Sequence, residues 1–77
     1  MEVICKKDVH MNVFEDIQCF TAGKSYITTW EINRDYLFGF KFELITEDDT
    51  SDNHGIAYSD DKDTSDDEWF NEYFDVI

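Results

Sequence analysis

Residues 20–45 read FTAGKSYITTWEINRDYLFGFKFELI, and this stretch decides the fold. Two runs of alternating apolar or aromatic residues flank a short polar segment, residues 33–35. Alternation with a period of two is typical of β-strands, because successive side chains of a strand point to opposite faces. The stretch therefore predicts a β-hairpin with one aromatic face. The residues on that face are Tyr26, Thr28, Trp30 and Ile32 in the first run and Tyr36, Phe38, Phe40, Phe42 and Leu44 in the second.

The length of the hairpin loop decides which residues pair. A two-residue loop would place the aromatic residues of the two runs on opposite faces, since a shift of one residue flips a whole strand. A three-residue loop, residues 33–35, puts Trp30 opposite Phe38 and brings every aromatic residue to one side. We therefore predict the three-residue loop. The residues expected in the core are Trp30, Phe38, Phe40 and Phe42.

The size and charge of the chain limit its class. Its 77 residues predict a single domain over residues 1–77. A domain this small needs a dense core, which an aromatic content of 17% can supply. The net charge of −13 excludes a protein that binds a nucleic-acid backbone through a basic face. The same charge disfavours docking on an anionic membrane.

The cysteine content bears on the cellular location. Cys5 and Cys19 are the only cysteines, and small secreted domains usually carry more. We therefore expect a cytoplasmic protein with reduced thiols. We also expect no signal peptide and no transmembrane helix, because no apolar run has the length that either requires.

Outside the hairpin, short apolar patterns predict three further strands and one helical turn. The strands cover residues 2–7, 54–59 and 74–77, and the helical turn covers residues 67–72. Residues 8–18 show no helical period and predict a long loop with hydrophobic anchors at Val9, Met11, Val13, Phe14 and Ile17. Five short strands favour an all-β fold, a small antiparallel and partly open barrel with the helical turn before its last strand. The alternative is an open antiparallel sheet that buries its aromatic face in a dimer.

Three segments resemble short proteins encoded by tailed bacteriophages and prophages. They are VICKKDV at residues 3–9, FTAGKSY at residues 20–26 and WFNEYFDVI at residues 69–77. Members of that family have a strand of the form Val-x-Cys-x-Lys-Asp, a Phe-Thr-x-Gly-Lys-x-Tyr turn and an aromatic C-terminal segment. The resemblance covers roughly half of the chain and implies an SH3-like barrel and a phage origin. Most such proteins lack an assigned activity, so the resemblance supplies no catalytic residue.

Acidic residues are concentrated in the second half of the chain. Between Glu47 and Asp75 there are 12 acidic residues and one basic residue, Lys62. One explanation is solubility, because acidic surfaces resist aggregation. The other is a negatively charged face that imitates the phosphates of DNA and binds a basic partner quickly and in a salt-sensitive way. The candidate partner-binding residues are Asp48, Asp49, Asp52, Asp60, Asp61, Asp63, Asp66, Asp67 and Glu68.

Two possible metal sites follow from residue types, and the sequence predicts neither. Four side chains fit ligand positions of an EF-hand calcium loop: Asp61, Asp63, Ser65 and Glu72. However, Asp66 stands where that loop needs glycine. Four other side chains could offer sulfur or nitrogen to zinc: Cys5, His10, Cys19 and His54. Their spacing matches no paired-ligand pattern, so we expect no metal and no cofactor.

The chain also lacks signs of catalysis. No glycine-rich phosphate loop and no nucleophile elbow is present, so we expect that the protein is not an enzyme. The sequence predicts a small interaction protein that binds and inhibits a basic host protein, either a nucleic-acid-binding enzyme or a defence protein. The alternative is a structural or assembly component of a phage or host complex. We expect a monomer or homodimer in the host cytoplasm, without direct contacts to nucleic acid or membrane.

Overall fold

The structure is a computed structural model that describes residues 1–11 and 16–77. In chain order its elements are β1 (Glu2–Cys5), β2 (Val9–Met11), β3 (Ile17–Phe20), β4 (Ser25–Ile32), a 3-10 turn (Leu37–Gly39), β5 (Phe42–Glu47), β6 (Asn53–Ser59), α1 (Glu68–Tyr73) and β7 (Phe74–Val76). Five strands form one antiparallel sheet in the order β6-β5-β4-β1-β7, and β2 pairs with β3 in a second, two-stranded sheet.

The large sheet contains the five strands that the sequence predicts. It is a curled, open antiparallel sheet, and α1 directly precedes its last strand. The all-β prediction with a short helix before the final strand is therefore confirmed. The prediction of a loop over residues 8–18 is wrong where β2 and β3 pair, because Met11 lies opposite Ile17. Val13 and Phe14, two of the predicted anchors of that loop, lie outside the described residues.

The β4–β5 hairpin has a longer loop and a different register from those predicted. Trp30 pairs with Leu44, six positions beyond the predicted partner Phe38. Because the shift is an even number of residues, Leu44 still points to the buried face. The loop contains nine residues, 33–41, and we call it the aromatic loop. Phe38 and Phe40 lie in it with 78% and 37% of their surface exposed, so their prediction as core residues is wrong.

Asn33 explains why the two strands end early. Its side chain is buried, and Nδ2 donates hydrogen bonds to the carbonyl oxygens of Leu37 at 2.9 Å and Phe40 at 3.0 Å. The loop also contains three residues with left-handed backbone angles: Tyr36 (φ 51°), Phe38 (φ 59°) and Gly39 (φ 80°). A β-strand requires negative φ, so the alternation of aromatic residues here does not continue the strand.

The largest fully buried side chains are aromatic and come from outside the β4–β5 hairpin. Phe20 of β3, Phe70 of α1 and Phe74 of β7 are fully buried. The ring of Phe20 meets Tyr26 and Phe74 edge to face, at centroid distances of 5.0 and 5.3 Å. Such pairs add to the free energy gained by burial. The two other aromatic residues that were predicted for the core are only half-buried: Trp30 and Phe42.

Candidate functional site

A groove of about 810 Å³ lies beside the C-terminal half of β6. It is bounded by β6, the aromatic loop, the start of α1 and the segment between β6 and α1, residues 60–67, which we call the acidic loop. The larger apolar side chains that line the groove are Met11, Phe38, Phe40, Ile56, Tyr58 and Trp69. The acidic residues that line it, the acidic rim, are Asp60, Asp61, Asp63, Asp66, Asp67 and Glu68.

The aromatic loop presents Phe38 to the groove in a fixed position. The Phe38 ring contacts the Tyr58 ring edge to face, with 5.0 Å between centroids. Asn33 holds the loop backbone, and the amide of Lys41 donates a 3.0 Å hydrogen bond to Oδ1 of Asp60 in the acidic loop. A positive φ at a residue such as Phe38 costs about 1–3 kcal/mol. A strained backbone and a highly exposed aromatic ring therefore coincide at Phe38.

Ser59 and Asp63 organise the acidic loop. The Ser59 hydroxyl accepts hydrogen bonds from the amides of Asp61 at 3.2 Å and Asp63 at 3.0 Å, and it donates to Oδ1 of Asp61 at 2.7 Å. The carboxylate of Asp63 accepts bonds from the amide and hydroxyl of Ser65, which lower the pKa of Asp63. The loop is thus ordered by its own polar side chains.

Asp67 differs from the other residues of the acidic rim because it ties the groove together. Its Oδ1 accepts a 2.9 Å hydrogen bond from the amide of Phe70 and caps the N-terminus of α1. Its Oδ2 accepts a 2.9 Å bond from the amide of Tyr58 on the edge strand β6. One carboxylate therefore joins the helix to the sheet at the back of the groove.

The charge of the acidic rim is not balanced by neighbouring cations. Within residues 1–11 and 16–77, no ion pair joins an acidic rim residue to a basic side chain. Lys62 lies in the acidic loop, but its Nζ sits 5.0 Å from the centroid of the Phe42 ring. The groove consequently offers apolar surface within an uncompensated negative field, which suits a ligand that is both cationic and apolar.

The nine predicted partner-binding residues fall into two groups at opposite ends of β6. Asp48, Asp49 and Asp52 lie in the turn between β5 and β6, residues 48–52, which we call the acidic turn. The other six form the acidic rim: Asp60, Asp61, Asp63, Asp66, Asp67 and Glu68. With β6 seven residues long, the two groups are separated by roughly 20 Å. The nine residues therefore do not share one face.

Asp48 of the acidic turn is turned into the protein. Its Oδ1 accepts three bonds, from the amide and hydroxyl of Thr50 and from the amide of Asp52, at 2.7–3.0 Å. Its Oδ2 lies 2.6 Å from Nε2 of His54. Burial alone would raise the pKa of Asp48, but these hydrogen bonds outweigh it and lower the pKa to about 2. Asp48 is therefore a structural carboxylate.

Asp49 is also engaged within the protein. Its carboxylate accepts hydrogen bonds from Lys24 at 2.7 Å, from Thr21 at 2.7 Å and from the Tyr26 hydroxyl at 2.9 Å. Burial would raise the pKa of Asp49, and these bonds lower it overall. Of the three acidic residues in the turn, Asp52 alone is left largely exposed without a strong partner in the described chain.

One group of metal-binding side chains converges, and it differs from both sets considered from the sequence. In the described part of the chain, Cys19, Asp48 and His54 place their ligand atoms within 4.8 Å of one another, and no other group of three or more such donors does so. Two of the four residues considered for zinc, Cys19 and His54, are thus neighbours. The residues considered for calcium do not converge: Glu72 on α1 lies 3.4 Å from Lys7 instead.

The sequence did not predict the apolar lining of the groove. Phe38 and Phe40 carry a strand-like pattern, so their alternation indicated burial. A signal for the alternative was present in Asn33 and Gly39, since both types favour turns and Gly readily adopts positive φ. Trp69 is the second residue of α1 and lies within the helical turn that was predicted over residues 67–72, but its place in the groove was not predicted.

Comparisons of the chain with protein-family models, with curated proteins and with solved structures find no match. The likeness to small phage proteins therefore stays a prediction. Among residues 1–11 and 16–77, no helix has the length and apolar character that crossing a membrane demands.

Proposed function

We propose that this protein is a binding module whose groove receives a basic and partly apolar segment of a partner protein. The observation that carries the proposal is the meeting of an aromatic lining and an unneutralised acidic rim in one groove of about 810 Å³. Neither feature alone would select such a ligand. An aromatic groove alone accepts any apolar segment, and acidic residues alone are most often solvated.

The two halves of the groove supply different parts of the binding free energy. The exposed ring of Phe38 and the half-buried ring of Tyr58 offer large apolar area, and the faces of such rings bind cationic groups, most often arginine. The acidic rim speeds encounter with a basic partner and discriminates against acidic ones. Strain at Phe38 supports the proposal, because costly backbone conformations persist mainly where function requires them.

The proposed role does not include catalysis. A cysteine nucleophile needs a thiolate, which is favoured by positive surroundings. Burial and the carboxylate of Asp48 instead raise the pKa of the Cys19 thiol, and burial also raises that of Cys5. The carboxylates of the acidic rim are exposed or hydrogen-bonded, so they lack the desolvation that makes a general acid.

The proposal also includes two predictions from the sequence, the type of barrel and the kind of partner. We propose that the curled sheet is an SH3-like barrel of phage type, because it has five short antiparallel strands and a helix before the last one. We also propose that the partner is a basic host protein, such as a nucleic-acid-binding enzyme or a defence protein, which the acidic rim would inhibit in the host cytoplasm by occupying its basic surface.

The experiment is a selection of displayed random peptides on the purified protein, followed by affinity measurement with labelled peptides. We expect selected peptides to combine Lys or Arg with aromatic or large aliphatic residues. A rim variant should weaken their binding at least about tenfold and flatten its dependence on salt. Its changes are Asp61→Asn, Asp63→Asn, Asp66→Asn and Glu68→Gln. Phe38→Ala should weaken binding to a similar degree, because exposed aromatic anchors dominate such interfaces.

The matched control removes the same number of charges away from the groove. Its changes are Glu2→Gln, Glu31→Gln, Glu47→Gln and Asp52→Asn, all at exposed positions. We expect this control to bind nearly as well as the wild type. Equal weakening by both variants would show that net charge, and not the groove, drives binding. Selected peptides without basic residues would also refute the proposal.

A further inference from the structure

We propose that Cys19, Asp48 and His54 form a binding site for a divalent transition-metal ion, with Zn²⁺ the best match. Their Sγ, carboxylate oxygen and imidazole nitrogen lie within 4.8 Å of one another. Thiolate, imidazole and carboxylate are the three protein ligand types that zinc accepts, and the harder ions Ca²⁺ and Mg²⁺ avoid sulfur. None of these three residues lines the groove, so the site is distinct from it.

The fold brings the three ligands together from three separate elements. Cys19 lies in β3, His54 lies in β6, and Asp48 directly follows β5. The amide of Asp49 donates a 2.8 Å hydrogen bond to the carbonyl oxygen of Cys19, which fixes the acidic turn against β3. The ring of His54 packs edge to face on Phe20 at a centroid distance of 6.0 Å. These contacts place the ligands before any ion arrives.

Asp48 has the orientation expected of a metal ligand. Three donors from Thr50 and Asp52 hold Oδ1, so the other oxygen, Oδ2, points toward His54. Hydrogen bonds of this kind orient ligating carboxylates in known metal sites. The side chain of Asp48 is only 1% exposed, whereas that of His54 is 27% exposed. Solvent therefore reaches the edge of the site and can supply a fourth, water ligand.

Occupation requires only a small rearrangement. Oδ2 of Asp48 and Nε2 of His54 lie 2.6 Å apart, whereas zinc–ligand bonds of about 2.0–2.2 Å in tetrahedral geometry separate two such atoms by about 3.3 Å. The two side chains would move apart by less than about 1 Å. Cys19 would release its thiol proton to solvent and bond to the metal through the thiolate. The proton that Nε2 of His54 donates to Asp48 would likewise leave, to Nδ1 of the same ring or to solvent, so that Nε2 can bind the metal.

The site differs from a hydrolytic Cys-His-Asp arrangement. In such a triad the histidine lies between the thiol and the carboxylate and bonds to both. Among the described residues, no hydrogen bond joins Cys19 to His54, and the Cys19 thiol donates a 3.6 Å bond to the carbonyl oxygen of Ile17. The three donor atoms lie close enough together, within 4.8 Å of one another, to be brought onto one ion.

The test uses Co²⁺ as a spectroscopic substitute for Zn²⁺, added to the full-length reduced protein in excess Ca²⁺, which occupies the exposed carboxylates. We expect one equivalent of Co²⁺ to give thiolate-to-cobalt charge-transfer absorption, and Zn²⁺ to abolish it by displacement. Cys19→Ser should remove the absorption, and His54→Gln should weaken Co²⁺ and Zn²⁺ affinity at least about tenfold. Cys5→Ser is the matched control and should behave as the wild type, since Cys5 is equally buried but lies outside the group.

A second readout separates binding from folding. Zn²⁺ should raise the melting temperature of the wild type and of Cys5→Ser, because a ligand that binds only the folded state stabilises it. It should leave Cys19→Ser and His54→Gln nearly unchanged. The proposal is overturned if the wild type shows no charge-transfer absorption, or if Zn²⁺ stabilises the four proteins equally through the exposed carboxylates.

Discussion

The acidic turn and the acidic loop contain the same residue types, yet the protein uses them differently. In the acidic turn, Asp48 and Asp49 accept hydrogen bonds from the protein, and their pKa values are lowered. In the acidic loop, the carboxylates of residues such as Asp61 and Asp66 remain exposed around an aromatic groove. The carboxylates of the first segment bond within the fold, whereas those of the second surround the groove with negative charge.

The difference comes from the surrounding donors and not from the acidic residues themselves. The acidic turn folds back on β3 and β4, where Thr21, Lys24 and Tyr26 donate to Asp49. The acidic loop follows the edge strand β6 and is held by bonds to Ser59 of β6 and Asn71 of α1. Among the described residues, however, no hydrogen bond is donated to the carboxylates of Asp66 and Glu68. A high local negative charge is therefore an ambiguous signal: its role depends on whether the chain brings hydrogen-bond donors to it.

The largest expected effect is the loss of stability in Asp48→Ala. This change removes a buried carboxylate and all the hydrogen bonds that it accepts from Thr50, Asp52 and His54, which should cost about 3 kcal/mol and lower the melting temperature by more than about 10 °C. The matched control is Asp66→Ala, an exposed residue of the acidic rim, which should change stability by less than about 0.5 kcal/mol. Thermal and urea unfolding measure both. Equal losses of stability in the two variants would show that the acidic turn and the acidic loop do not differ in structural role.

The next effect is a dependence of stability on pH that belongs to Asp48. Its pKa falls from 3.8 in the unfolded chain to about 2 in the folded protein, so it contributes about 2 kcal/mol above pH 4. That contribution is lost as the pH falls from about 4 through about 2, because protonation then favours the unfolded state.

Urea unfolding of the wild type and Asp48→Asn across this pH range isolates the contribution. The gap in unfolding free energy between the two proteins should narrow by about 2 kcal/mol as the pH falls. Relief of repulsion among the other carboxylates acts on both proteins and cancels. A gap that stays constant below pH 4 would contradict the assignment of Asp48 as a structural carboxylate.

The smallest effect concerns Asp67, the residue of the acidic rim that bonds to both α1 and β6. Asp67→Ala removes the cap of α1 and the acceptor for the Tyr58 amide, and should cost about 1–2 kcal/mol. Asp67→Asn keeps a capping oxygen and should lose less. If Asp67→Ala unfolds like the wild type, the bridge between α1 and β6 is unimportant, and the whole acidic rim is free for a ligand.

Much of the fold could be predicted because it depends on local periodicity. The buried residues Val3 and Cys5 alternate in β1, and Asp67 stands before an apolar turn that became α1. The hairpin register could not be predicted, since the choice between Phe38 and Leu44 as the partner of Trp30 depends on a buried hydrogen-bond network at Asn33. The parity of the pairing was nevertheless correct, because burial of one face constrains it.

The sites were harder to predict than the fold because they depend on long-range neighbours. Charge alone predicted the residues of the acidic rim as partner-binding, and it predicted Asp48 and Asp49 along with them. Their structural role could not be recognised without knowing that β3 and β4 lie beside the acidic turn. Likewise, Cys19 and His54 are far apart in the chain and share no motif. Only the meeting of β3 with the acidic turn makes them neighbours of Asp48.

The way the aromatic loop is anchored has an evolutionary consequence. Asn33 and Asp60 hold its main chain, whereas the side chains of Tyr36, Leu37 and Phe38 are largely exposed. Of these, Phe38 lines the groove, so a substitution there changes the groove surface while the framework stays intact, as in other proteins whose variable loops sit on a constant scaffold. Asn or Gly at position 36 or 38 would even relieve backbone strain. The loop is thus a segment in which specificity can diverge quickly between relatives, and a natural position for randomisation in binder engineering.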